Sequence, residues 1–191
     1  MAGIGHNNGP TMEPGQVWRT HMWRQAQKRL IPNAIPLLVV KMRVKRAAEL
    51  GLDYKTYASI RQYSGQDIVG LLFSSNALRI LGGAARMPDA ETRALAALKS
   101  ARRLSLVHAP LEPPAVKQAN PVLDATEAAP GLTHSWSETR ERLHNFIREQ
   151  RLPGNQVLIV GDTALEAEWT TAARAAGYLE ADRYFQRAGL G

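Results

Sequence analysis

The chain has 191 residues, 45% of them hydrophobic, which is enough for one good core, or one domain with a small helical appendage. It carries no cysteine, so disulfides, thiolate nucleophiles and cysteine-based zinc or iron–sulfur centres are excluded. The formal net charge is +7, and it is not spread evenly: residues 1–61 hold ten lysines and arginines against three acids, while residues 62–191 hold fourteen of each. A positive field confined to one third of a chain attracts polyanions and raises their encounter rate.

The opening, MAGIGHNNGP, has no cationic-then-apolar leader. The longest apolar run, 34–40, is far short of a membrane span and contains Pro36. A cytoplasmic protein without a membrane partner is the expectation.

Residues 1–15 are rich in Gly, Asn and Pro and read as a flexible tail. A helix is predicted over 16–30, with Trp18, Met22 and Ala26 on one stripe and Arg24, Lys28 and Arg29 elsewhere, ended by Pro32. Trp18 belongs to the stripe, whereas Trp23 stands among cations, where an aromatic ring can stack on a base.

The next stretch, 36–64, concentrates the charge. Pro36 suits the start of a helix in which Leu37, Val40, Val44, Ala47 and Ala48 form an apolar face and Lys41, Arg43, Lys45 and Arg46 supply the cations. Gly51 is the turn residue, Asp53 the N-cap of a second helix, and Tyr57 and Ile60 its inward positions. A small residue four before the turn glycine (Ala47), with apolar residues on either side of it (Leu50, Leu52), resembles the helix-turn-helix unit of small bacterial regulators over residues 46–61. Arg46 departs from that pattern, standing where an apolar residue is usual. The resemblance implies that Tyr54, Lys55, Ser59 and Gln62 face a nucleic-acid groove.

Gly65 ends the helical pattern. Residues 68–73 (IVGLLF) read as a strand buried on both faces in preference to a buried helix, which the spacing of Ile68, Leu71, Leu72 and Leu78 also fits; the strand puts Ser74, Ser75 and Asn76 at its carboxyl end, where open α/β sheets bind ligands. Pro88 opens a helix running to about Arg102, acids first and cations last. A short strand over 104–108 follows, ending on His108, a potential general base. Residues 109–134 carry five prolines and read as a long loop.

Ser135 and Glu138 make a capping box for a helix through Gln150, with Leu143, Phe146 and Ile147 inward. A last buried strand, 157–160, leads through Gly161, Asp162 and Thr163 into a helix reaching Ala176, with Leu165, Trp169, Ala172, Ala173 and Ala176 as its stripe and Gly177 as its stop. Thr163 and Glu166 form a second capping box. Residues 160–163 (VGDT) with the later Ala-Ala-Gly at 175–177 are similar to the fourth motif of haloacid dehalogenase-type phosphatases, whose acid helps hold magnesium. That family also carries an Asp-x-Asp nucleophile pair, which this chain lacks, so the phosphatase reading is set aside.

The predicted fold is therefore α/β: a flexible tail at 1–15, then a basic helical region over 16–64. The latter packs on a small parallel sheet with flanking helices within 65–186. Nucleic-acid binding, to DNA or RNA, is the expected function, through Arg24, Lys28, Arg29, Lys41, Arg43, Lys45, Arg46, Tyr54, Lys55 and Gln62. The rival is a small-ligand binder or enzyme using Ser74, Asn76, His108, Asp162 and Thr163 at the strand ends. A scaffold that meets an acidic protein is a further alternative. No cofactor and no metal are expected.

Overall fold

Two five-residue strands, β1 (Gly70–Ser74) and β4 (Val157–Gly161), are buried at every position, as strands must be when both faces of their sheet are covered. The computed structural model describes residues 35–81, 83–131 and 133–187, and its α/β unit begins at Lys41. The predicted tail and the helix over 16–30, with Arg24, Lys28 and Arg29, lie outside the described residues.

Beside these two strands stand β2 (Arg102–Val107), β3 (Ala125–Ala128) and β5 (Gly177–Glu180). All pairings are parallel and the order is β3-β2-β1-β4-β5. The direction of winding reverses between β1 and β4, which makes their carboxyl ends the topological switch point.

Strand residues alternate between two cores. Leu71, Phe73, Leu158 and Val160 face one cluster, and Leu72, Leu104, Val157 and Ile159 the other. Helices α5 (Trp136–Glu149) and α6 (Ala164–Ala173) cover the second face with Leu143, Phe146, Ile147, Trp169 and Ala172. The first face is covered by residues of α1 (Leu37–Glu49), α2 (Tyr54–Ser64), α3 (Asp89–Ala97), α4 (Pro113–Ala119) and α7 (Ala181–Arg187). The chain is thus a mixed α/β protein with a parallel sheet and helices on both faces. No helix among the described residues is long and apolar enough to cross a membrane.

The basic hairpin forms as its local signals dictate. Gly51 turns at φ +66°, and Asp53 caps α2 by accepting from the Thr56 N–H. Tyr57 is buried, and Ile60 packs against the core. The first helix differs from its predicted amphipathic face. Leu37, Val44 and Ala48 are exposed, and Ala47 is its one buried residue.

What holds α1 is Arg46. Its Nε donates to Asp67 (3.0 Å), Nη1 to Glu49 (3.3 Å) and the Lys99 carbonyl (3.1 Å), and Nη2 to the carbonyls of Ile68 (2.8 Å) and Ser100 (3.0 Å). A guanidinium has five N–H donors, and all five are used. They tie the helix to the segments that enter β1 and β2. Asp67 in turn accepts from the Tyr57 hydroxyl (2.8 Å), and burial followed by this hydrogen bond pushes the Tyr57 phenol above its usual pKa. On the other side of the turn, the buried Tyr184 hydroxyl donates to the Leu50 carbonyl (3.1 Å).

Four expectations are corrected downstream. The helix starting near Pro88 stops at Ala97 and not at Arg102, because Leu98 turns extended and Arg102 already belongs to β2. The proline-rich stretch 109–134 is no bare loop. Pro113 and Pro114 open α4, where a missing N–H costs nothing, and β3 then pairs with β2 to complete a crossover. Helix α6 ends at Ala173 through Arg174 in the left-handed conformation, so Gly177 starts β5 and does not stop a helix. Leu165, assigned to the buried stripe, is exposed in the first turn of α6.

Replacing Arg46 with Met keeps the aliphatic reach and removes five donors. We expect a loss of about 2–4 kcal/mol in urea unfolding, since two carboxylates and three carbonyls lose their shared donor. Lys45→Met, one residue earlier and exposed, should change stability by no more than about 0.5 kcal/mol. Equal losses from the two substitutions would contradict the clamp.

Candidate functional site

The carboxyl ends of β1, β2 and β4 do converge. Ser75 follows β1, His108 follows β2, and Glu166 sits in the first turn of the helix that follows β4. The Ser75 hydroxyl lies 3.1 Å from His108 Nδ1 and also accepts from the His108 backbone N–H at 3.1 Å. His108 Nε2 lies 3.4 Å from Glu166 Oε1, which accepts from Asn76 Nδ2 at 2.9 Å. The Glu166 carboxylate is fully buried. Its second oxygen takes the backbone N–H groups of Asp162 (2.6 Å) and Thr163 (3.1 Å).

These contacts fix the imidazole. A neutral Nε2–H tautomer satisfies both contacts, with Ser75 donating to Nδ1 and Nε2–H directed at Glu166. Burial lowers the His108 pKa, and the charge of Glu166 opposes that shift without cancelling it. One face of the ring stacks on Trp169 at 5.6 Å. Ser75 has the composition of a nucleophile but is buried. The arrangement is a brace across three strand ends.

The remaining strand-end candidates have structural duties too. Ser74 is buried and caps the following turn by accepting from the Ala77 N–H (3.0 Å). Thr163 caps α6 by accepting from the Glu166 N–H (3.3 Å). Asp162 pairs with Arg79 at 2.9 Å, and the same guanidinium reaches Asp182 at 2.6 Å. Helix N-termini at a switch point ordinarily offer free N–H groups to an anion. Here Glu166 takes the N–H groups of the two residues just before the helix, Asp162 and the N-cap Thr163. Gly161 makes that possible: a Cβ there would lie 2.8 Å from Glu166 Oε2.

The basic hairpin has the opposite character. Lys41, Lys45, Lys55 and Gln62 are exposed, and their side chains enter no hydrogen bond or ion pair among the described residues; Arg43 and Tyr54 are half-buried. Arg46 is removed from the set of surface cations by its five internal bonds. Tyr63, next to Gln62 on the outer side of α2, is 85% exposed. Among the described residues, no group of three or more His, Asp or Glu side chains is placed to hold a metal ion.

No family model matches the chain, and neither a curated protein nor a solved structure matches it.

Sequence reasoning singled out His108 but not the two residues that govern it. Ser75 was named only as part of a strand end, and Glu166 only as half of a capping box. A glycine closing the strand, followed five residues later by an acid, was the available signal for the second. Tyr63 carried no signal beyond its place three residues after Ile60 on a solvated helix.

The lowered His108 pKa has a direction in pH. The unfolded chain takes up the imidazole proton near 6.5, the ordinary value, and the folded chain only below it. Stability from this group is therefore complete above about pH 6.5 and falls as pH drops through the window beneath. Chemical denaturation of the native chain and of His108→Gln should show it: the substitution flattens the slope across that window. NMR should place the native His108 midpoint below 6.5, and a midpoint above it would contradict the neutral brace.

Proposed function

We propose that the protein binds nucleic acid through the outer face of the α1–α2 hairpin. The observation that carries this reading is the set of exposed cations Lys41, Lys45 and Lys55, whose side chains enter no ion pair among the described residues, on the third of the chain that holds the entire net charge. Arg43 adds to the same helix. Tyr63 supports the reading as a ring available for stacking, and Gln62 beside it as a polar side chain able to reach a base edge. Phosphate contacts from Lys41 and Lys45 supply affinity without sequence information.

The carboxyl edge of the sheet is the weaker candidate, because its imidazole, its hydroxyl and the N–H groups of Asp162 and Thr163 already have partners within the chain. An acidic protein remains the partner that would compete for the same lysines, and salt dependence alone does not separate it from a polynucleotide. Direct binding to labelled oligonucleotides does.

Fluorescence anisotropy with labelled DNA and RNA should show binding at low salt that weakens roughly a hundredfold between about 50 and 200 mM salt, as three or four phosphate contacts require. Lys41→Ala and Lys45→Ala should each reduce the salt slope by about one. Lys55→Ala with Gln62→Ala should instead reduce discrimination between sequences. No binding to either nucleic acid at low salt, or a salt-insensitive affinity, would sink the proposal.

A further inference from the structure

A cavity of about 400 Å³ opens at the far edge of the sheet, between the last turns of α5 and α6 and the segment that leads into β4. Arg148 and Arg174 stand on its wall with His144 and Asn155, over an apolar floor of Ile147 and Leu152. No carboxylate is among its lining residues. The volume falls within the range of small-molecule sites, and its mixture of apolar floor and few polar groups is theirs as well.

We propose that this cavity binds a small organic anion, with one phosphate or carboxylate group held by Arg148 and Arg174 and an apolar body resting on Ile147 and Leu152. Planar guanidinium groups suit both anions, through paired N–H donors. Arg174 donates no side-chain hydrogen bond among the described residues, and Arg148 donates to Asn145 (2.9 Å) through one terminal nitrogen.

Backbone geometry gives the first independent support. Arg174 leaves α6 in the left-handed conformation, φ +51° and ψ +43°, where glycine is the inexpensive choice. The helix dipole favours a cation anywhere in the last turn. It does not require one at the residue where the backbone resists a side chain. An unfavourable conformation kept at a cavity wall is grounds for a functional reading.

The second support is the build of the cavity. A Cβ on Gly154 would come within 2.5 Å of the Ala173 carbonyl, so the entering segment is pressed against the end of α6.

Isothermal titration calorimetry on the full chain tests the proposal with phenyl phosphate, benzoate and uncharged benzyl alcohol as probes. Saturable binding of at least one anion is expected, with none of benzyl alcohol under the same conditions. The tighter of the two anions identifies the head group. Arg174→Gly relieves the backbone while deleting the guanidinium, so it should weaken binding at least fivefold with Tm unchanged or raised. Arg148→Gln should weaken it without a change in fold, and Lys41→Ala should leave it unaltered, which separates this site from the hairpin. Failure of both anions to bind, equal binding of benzyl alcohol, or an Arg174→Gly effect smaller than fivefold would each overturn the assignment.

Discussion

The structure depends on one saturated guanidinium. Arg46 spends all five of its donors on two carboxylates and three backbone carbonyls, and so joins a helix with few buried residues to the segments that begin β1 and β2. Apolar burial alone would hold α1 weakly, since Ala47 is its single buried residue. Tyr184 completes the attachment from the opposite side of the turn. The helix is fixed by polar bonds at its inner end, and its cationic outer side is left to solvent. That division of labour within Lys41–Arg46, two lysines exposed, Arg43 half-buried and Arg46 bound inward, is what gives the hairpin a surface to offer.

The two edges of the sheet divide their chemistry in a similar way. At the carboxyl edge, where parallel sheets commonly receive ligands, the chain answers its own polar groups. Glu166 occupies the start of α6, Arg79 neutralises Asp162, and Ser75 and Glu166 fix both nitrogens of His108. At the amino edge, where α5 and α6 end, arginines line an open cavity. Residues 62–191 balance in charge along the sequence, yet folding places arginines without carboxylates around this space.

Much of this was legible from local pattern. The capping boxes Ser135/Glu138 and Thr163/Glu166, the turn at Gly51, the cap at Asp53 and the buried runs of β1 and β4 all form from residues close in sequence, and all are present. Strands β3 (ATEA) and β5 (GYLE) were not legible, because short edge strands with half-buried residues show neither alternation nor an apolar run. The prolines that open α4 concealed a helix by resembling a loop. Long-range polar partnerships were the least accessible. Three of the groups that Arg46 serves are carbonyls 22, 53 and 54 residues away, and a carbonyl has no sequence signature. For the same reason an arginine that departed from the helix-turn-helix pattern was counted among the surface cations, when its partners make it part of the frame.

The central claim is that the outward face of the hairpin, and not the carboxyl edge of the sheet, meets a polyanion. Amide chemical-shift mapping of isotope-labelled protein against short DNA and RNA duplexes tests it residue by residue. The account predicts saturable, salt-sensitive shifts at Lys41, Lys45, Lys55, Gln62 and Tyr63, with Ser75, His108 and Asp162 unmoved. Shifts gathered at Ser75, His108 and Asp162, with the hairpin silent, would contradict it.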